Sequence, residues 1–173
     1  MGYDTIMIPT SIVIDEVLDK NSISNICNSL DKTNGDPFFY NMEDEHLFNN
    51  FCLSMVNLAS QYYDLTDAVG YEFWTRLNTC VEGWHRDKDE RLYDEKNIIS
   101  FPLCTIIYYP IVKDLKGGEL LLMDDVVTPK TNRVVMLASG VPHNVNEFTG
   151  QRVSMMVNPW SRKFISQTYD DNI

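Results

Sequence analysis

The stretch Trp84-His85-Arg86-Asp87 decides how the rest of this chain is interpreted. Side chains two residues apart on an extended backbone point to the same face, so its histidine and its aspartate can both aim into the interior of a β-barrel. A second histidine, His143, lies far downstream, and Arg152 follows it within Gln151-Arg152-Val153-Ser154. Together these residues predict a mononuclear iron site with a carboxylate-binding arginine beside it.

The predicted metal ligands are His85, Asp87 and His143. Two imidazoles and one carboxylate that leave one face of the metal open are typical of non-haem Fe(II) oxygenases, whose metal must admit both oxygen and an organic co-substrate. A structural zinc site would instead close the metal shell with four ligands, usually richer in cysteine. Two alternatives stay open at this point. The three residues can be two buried histidines and a surface carboxylate, and Asp89 can replace Asp87 as the carboxylate ligand.

The predicted anion-binding residues are Arg152, Ser154 and Tyr109. If residues 147–150 form a hairpin turn, His143 falls opposite Ser154, and both Arg152 and Ser154 face the metal. A buried arginine needs an anion, and its planar fork suits the distal carboxylate of a dicarboxylate, to which Ser154 can add a hydroxyl. Tyr109 can supply a phenol from an adjacent strand, with Tyr108 as the alternative if the register shifts by one.

The composition predicts one folded domain that binds neither nucleic acid nor an anionic membrane. The chain has 173 residues, of which 44% are hydrophobic and 23% charged, and its net charge is −11. Its four cysteines lie far apart without a C-x-x-C pair, which favours a reduced intracellular protein. With no basic segment leading into an apolar run, and no apolar stretch long enough to span a membrane, we expect a cytoplasmic protein.

The hydrophobic pattern predicts an α+β chain that is mainly β. We expect an initial strand at 6–14, an amphipathic helix around 22–31 and a longer helix at 44–62, with His46 as an exposed polar residue at its start. From residue 71 onward no further helix is expected, and the charged run 88–96 is predicted to be a solvated loop able to act as a lid. The predicted strands are 71–79, 104–109, 119–123, 133–138, 143–146 and 152–158. Such an order favours a sandwich or barrel with the helices on one outer face.

Residues 71–160 resemble the 2-oxoglutarate- and Fe(II)-dependent dioxygenases of the prolyl-hydroxylase-like branch. Departures from the family pattern are Pro110, and Asn132 at a turn position where glycine is common. The resemblance implies a double-stranded β-helix, a jelly-roll-like barrel, in which His85, Asp87 and His143 bind iron while the arginine and a strand tyrosine hold 2-oxoglutarate. The residues that carry the resemblance are His85 and Asp87, the strand 105–109, Gly117-Gly118-Glu119-Leu120, Pro129, His143, and the R-x-S of Arg152 and Ser154.

The resemblance also implies an activity: hydroxylation of an unactivated C–H bond with O2, releasing succinate and CO2, with ascorbate as a supporting reductant. A prolyl residue in a protein or peptide is the expected substrate, and the acidic surface would suit a basic target. The alternatives are a hydroxylase of a free amino acid or another small molecule, and a non-catalytic metal-binding barrel used for sensing. A nucleobase demethylase is disfavoured by the acidic charge balance. We expect a single domain over 1–173, with 1–70 supporting a catalytic core at 71–160.

Overall fold

The computed structural model describes residues 9–33, 35–79 and 83–163, and its strands form two antiparallel sheets that face each other. The larger sheet has the order β1-β7-β4-β9-β3-β2 and the smaller one the order β6-β5-β8. This arrangement confirms the predicted jelly-roll-like barrel. The strands are β1 (Ser11–Asp15), β2 (Phe38–Asn41), β3 (Gly70–Leu77), β4 (Cys104–Gly117), β5 (Leu120–Leu122), β6 (Val126–Val127), β7 (Arg133–Ala138), β8 (His143–Val145) and β9 (Phe148–Trp160).

The larger sheet is buried on both faces, which explains the unbroken apolar runs of its central strands. On β4, Ile106 and Tyr108 belong to the core under the helices, whereas Ile107 and Tyr109 belong to the core between the two sheets. The helices are α1 (Lys20–Cys27), α2 (Asn49–Ala59) and α3 (Glu90–Lys96). Phe51 of α2 contacts Tyr108 with ring centroids 5.2 Å apart, so α2 covers the outer face of the larger sheet as predicted.

Both N-terminal helices exist, with bounds that differ from the prediction. Asp19 caps α1 by accepting hydrogen bonds from the backbone of Asn21 and Ser22, so the helix begins before Ser22. The long helix begins at Asn49, and His46 precedes it. His46 is not the exposed residue expected from the sequence, because its ring stacks on Tyr40 at 3.8 Å and its Nε2 lies 2.9 Å from the Tyr71 hydroxyl.

The prediction that no helix follows residue 71 is wrong. α3 occupies most of the charged run 88–96, because Asp89 caps its first turn and Asn97, at a φ of 53°, ends it in a left-handed conformation. Two short strands, β2 and β6, were not predicted, and β4 and β9 are longer than expected. The first strand begins at Ser11, and the predicted residues 6–8 lie outside the described ranges. None of the helices in the described part of the chain is long and apolar enough to cross a membrane.

The predicted hairpin between residues 143 and 154 is also wrong. β8 pairs with β5, which places His143 opposite Leu122, while β9 pairs with β3 and β4 in the other sheet. The chain therefore crosses from the smaller sheet to the larger one between Val145 and Phe148 instead of folding back on itself. Ser154 lies opposite Arg76 rather than His143.

Asn132 joins the N-terminal segment to the barrel. Its φ of 62° is the left-handed conformation that this residue type tolerates. Its side chain accepts hydrogen bonds from the Leu18 backbone (3.1 Å) and the Tyr108 hydroxyl (3.1 Å), and it donates one to the Leu18 carbonyl (2.8 Å). An asparagine can thus replace the turn glycine of the family pattern and add three contacts.

We predict that Asn132→Gly keeps the turn but lowers the free energy of unfolding by about 1 to 3 kcal/mol, because the buried partners lose their hydrogen bonds. Asn132→Ala should cost ~1 kcal/mol more, since alanine is strained at this φ. Chemical denaturation measures both. Asn97→Gly is the matched control, because Asn97 is also left-handed and its side chain has no hydrogen bond to a described residue. Equal effects at the two positions would contradict this role of Asn132.

Candidate metal centre

The structure brings His85, Asp87 and His143 together between the two sheets. Each offers one ligand atom, and these atoms all lie within 4.8 Å of one another. The two histidines exchange backbone hydrogen bonds: His85 N–H donates to the His143 carbonyl (3.0 Å), and His143 N–H donates to the His85 carbonyl (2.9 Å). This pair forms an isolated β-bridge, so the H-x-D segment is not the regular strand expected from the sequence. The bridge places the two imidazoles side by side, with ring centroids 4.4 Å apart.

Backbone carbonyls fix which ring nitrogen of each histidine faces the cavity. His85 Nδ1 lies 3.1 Å from the Gly83 carbonyl, and His143 Nδ1 lies 3.0 Å from the Val141 carbonyl. A carbonyl can only accept, so each Nδ1 carries the proton and donates. This leaves Nε2 of each ring as the nitrogen whose lone pair can bind a metal ion.

Asp87 is held by two donors from the larger sheet. Its Oδ2 accepts hydrogen bonds from Thr105 Oγ1 (2.7 Å) and from Asn158 Nδ2 (3.2 Å). These contacts leave Oδ1 for a cation. Asp89, the alternative carboxylate ligand, is occupied elsewhere: it caps α3 through the Leu92 backbone and forms an ion pair with Arg162. An open set of two imidazoles and one carboxylate fits Fe(II).

Arg152 is a buried cation at the other end of the same cavity. Its side chain is only 3% exposed, and its guanidinium lies over the ring of Tyr109 (5.0 Å) and donates to the Tyr109 hydroxyl (3.4 Å). Within the described ranges no carboxylate forms an ion pair with it, and its Nε has no hydrogen-bond partner. A buried, unpaired guanidinium is costly, so this end of the cavity suits an anionic ligand.

The alternation of β4 settles which tyrosine faces this cation. Tyr109 contacts Arg152, whereas Tyr108 points to the opposite face and bonds to Asn132. Burial raises the pKa of the Tyr109 hydroxyl, which keeps it a neutral donor. Ser154 is buried and, with Arg152 and the three candidate ligands, lines a cavity of about 60 Å³. Tyr109 does not line this cavity itself, but it contacts the guanidinium of Arg152, which does.

Sequence reasoning missed several residues of this site. Asn158, which bonds to Asp87, shares the inward-facing parity of Arg152 and Ser154 on β9, and that parity could have identified it. Trp74 and Arg76 line the cavity from β3. No sequence signal identifies these two residues, because nothing in the sequence shows that β3 pairs with β9.

Glu72 is a further carboxyl group near the metal end. It lies on β3 opposite Asn158. Burial, and then the charges of Asp87 and Asp89, raise the pKa of Glu72 to about 8. In the metal-free protein the Glu72 carboxyl group is therefore mostly protonated at neutral pH.

Comparison with known proteins identifies the fold. No protein-family profile matches the chain, and no curated protein matches it in sequence. Solved structures do match. A prolyl-4-hydroxylase from Pseudomonas putida superposes with a TM-score of 0.63 at 16% identity, over 89% of this chain and 94% of that one. The chain has the fold of the 2-oxoglutarate- and Fe(II)-dependent oxygenases.

Two more structures of this fold are similar. A viral collagen prolyl hydroxylase from Paramecium Bursaria Chlorella virus-1, in complex with 2-oxoglutarate, has a TM-score of 0.62 at 11% identity, over 90% of this chain and 97% of that one. HygX from Streptomyces hygroscopicus, with nickel and 2-oxoglutarate bound, also has a TM-score of 0.62 at 11% identity, over 92% and 85% of the two chains.

The hydrogen bond from Thr105 to Asp87 leads to a prediction about metal affinity. Thr105→Val removes the donor at nearly constant volume, so the Asp87 carboxylate loses one of the contacts that orient it. We expect the affinity for Co(II) to fall about 10- to 100-fold, as measured by anaerobic titration calorimetry. Thr128→Val, at an exposed position, is the matched control. A Thr105→Val affinity equal to that of the control would rule out this role.

The raised pKa of Glu72 leads to a prediction about stability and pH. The folded pKa of about 8 lies above the ordinary value of 4.5, so the unfolded chain releases this proton first as the pH rises. Glu72 thus makes its full contribution to stability below about pH 4.5. This contribution is lost progressively as the pH rises from about 4.5 to about 8. Glu72→Gln should stabilise the metal-free protein more at pH 8 than at pH 5, as measured by urea unfolding. The exposed variant Glu43→Gln controls for surface charge, and a pH-independent effect of Glu72→Gln would contradict the prediction.

Proposed function

We propose that this protein is a 2-oxoglutarate- and Fe(II)-dependent dioxygenase that hydroxylates an unactivated C–H bond, releasing succinate and CO2. One observation carries the proposal: a single cavity holds an open set of two imidazoles and one carboxylate at one end and a buried, unpaired guanidinium at the other. The first group suits Fe(II), and the second suits the distal carboxylate of a keto diacid. The similarity to oxygenase structures holding 2-oxoglutarate supports the same pairing.

The residues of the cavity have distinct roles in this proposal. His85 Nε2, His143 Nε2 and Asp87 Oδ1 hold the metal, and Thr105 and Asn158 keep the Asp87 carboxylate in place. Arg152 binds the far carboxylate of 2-oxoglutarate, with Tyr109 supporting the guanidinium and Ser154 adding a hydroxyl. Bound iron would supply the oxygen chemistry. The protein supplies orientation, since the co-substrate is held at both ends.

The proposed substrate is a prolyl residue in a protein or peptide. The similarity in fold to two prolyl hydroxylases supports this class. We also place the protein in the cytoplasm, because Cys27, Cys52 and Cys104 are all free thiols.

We predict that the protein mixed with Fe(II) and 2-oxoglutarate without oxygen develops a visible charge-transfer band, and that admitting oxygen and a prolyl peptide panel yields succinate. Asp87→Ala should abolish both signals. Arg152→Gln should raise the 2-oxoglutarate concentration at half-saturation about 10- to 100-fold, because charge-assisted hydrogen bonds are lost.

The control is Arg91→Gln, on the exposed face of α3. A wild-type protein that binds metal but shows no band and no succinate would be a metal-binding barrel without this activity. Unchanged half-saturation in Arg152→Gln would remove Arg152 from the co-substrate site.

A further inference from the structure

A second arginine, Arg76, enters the metal cavity from β3. The inward-facing positions of β3 lie opposite those of β9, so Arg76 is the direct neighbour of Ser154. Arg76 lines the cavity together with Arg152 and the candidate metal ligands. The co-substrate proposed above needs one guanidinium for its distal carboxylate. The cavity contains two.

Among the described residues, no carboxylate forms an ion pair with Arg76. The Nη1 of Arg76 donates to the Gly35 carbonyl (3.2 Å). A guanidinium carries five N–H donors, so one carbonyl leaves most of them available. Glu72, the acidic residue of β3, forms no ion pair with Arg76.

Once a metal ion and 2-oxoglutarate are bound, the charges in the cavity favour one more anionic group. A divalent metal ion, the Asp87 carboxylate, the Arg152 guanidinium and a doubly charged 2-oxoglutarate cancel one another. Among the described residues, Arg76 then leaves one positive charge in excess, and a partly buried charge without a counter-ion is costly. The remaining molecule that must approach the metal is the substrate to be oxidised.

Arg76 also lies on the side of the cavity where a substrate has room. Its bonding partner Gly35 lines a second, larger cavity of about 370 Å³, and Trp74 lines both cavities. Phe38 and Tyr40 add aromatic surface to this second cavity. Neither arginine lines the second cavity itself, but the side chain of Arg76 bonds to Gly35, which does, whereas the side chain of Arg152 is buried and bonds to Tyr109. The two arginines therefore serve different molecules.

We propose that Arg76 binds a carboxylate of the substrate, so that this enzyme selects an anionic substrate in spite of its own net charge of −11. The inference rests on the proposed hydroxylase function. The carboxylate can belong to a free amino acid or to an acidic side chain beside the oxidised residue of a peptide. Both sources offer the same bidentate contact to the guanidinium. This local charge replaces the expectation, drawn from the acidic surface, of a basic target.

The test measures binding to the protein loaded with Co(II) and 2-oxoglutarate, which needs no turnover. The probes are two matched pairs: L-proline against L-prolinamide, and the end-blocked peptides Gly-Pro-Glu-Gly against Gly-Pro-Gln-Gly. In the wild type we expect one carboxylate probe to bind about 10- to 100-fold more tightly than its amide partner. The pair that shows the difference identifies the source of the carboxylate.

The variants are Arg76→Gln and Arg76→Lys, with Arg91→Gln as the control. Arg76→Gln should remove the preference for the carboxylate probe, while its affinity for 2-oxoglutarate should stay within about twofold of the wild type. Arg76→Lys should keep part of the preference for the carboxylate probe. Thermal unfolding confirms that each variant is folded. Three results would overturn the proposal: no preference in the wild type, equal preference in Arg76→Gln, or weakened 2-oxoglutarate binding in Arg76→Gln. A wild type that does not bind 2-oxoglutarate would instead refute the proposed function.

Discussion

Two backbone hydrogen bonds between His85 and His143 hold the candidate metal centre together. His143 belongs to the smaller sheet, where β8 pairs with β5, and the bridge attaches the irregular segment around His85 to that sheet. Asp87 then reaches the larger sheet through Thr105 and Asn158. The three ligand positions thus depend on both sheets at once. The site can form only when the barrel has closed, so metal affinity and folding should be coupled.

The alternation of side chains on β4 and β9 gives the cavity its two chemically different ends. Both strands are buried on both faces, with one set of residues under the helices and the other set inside the barrel. Inside, the polar residues Thr105 and Asn158 stand near the metal ligands, while Tyr109 contacts Arg152 at the far end. Ile107 and Met156 pair between these ends and are largely apolar. A ligand that binds at both ends must therefore be polar at its tips and lie along an apolar wall.

Much of this site could be predicted from the sequence because its residue types carry their own chemistry. Three motifs indicate a metal and anion site whichever way the strands pair: the H-x-D of residues 85–87, a distant histidine and an R-x-S. The fold confirms the barrel that they implied. The choice between Tyr109 and Tyr108 needed the parity of β4, which a sequence leaves ambiguous by one residue. The hairpin after His143 was wrong because nearness in sequence favours local pairing, whereas this chain crosses to the other sheet. Arg76 was missed because its position depends on which distant strands become neighbours, whereas the parity of β9 could have identified Asn158.

The helix α3 could not be predicted from the hydrophobic pattern for a different reason. Its residues are charged on all sides and none of them is buried, so it has no apolar stripe to detect. Its stability comes from its ends, where Asp89 accepts the Leu92 N–H and Asn97 closes the last turn. Asp89 was an alternative metal ligand because it would share the face of Asp87 on a continued strand, but its carboxylate instead caps α3.

The most direct test of the central claim is a crystal structure of the protein grown without oxygen in the presence of Mn(II) and 2-oxoglutarate. The account predicts one metal ion bound by Nε2 of His85, Nε2 of His143 and the carboxylate of Asp87, with the keto acid on its open face and the distal carboxylate on Arg152. A fourth protein ligand closing the metal shell would contradict it. So would a dicarboxylate whose far end lies away from Arg152.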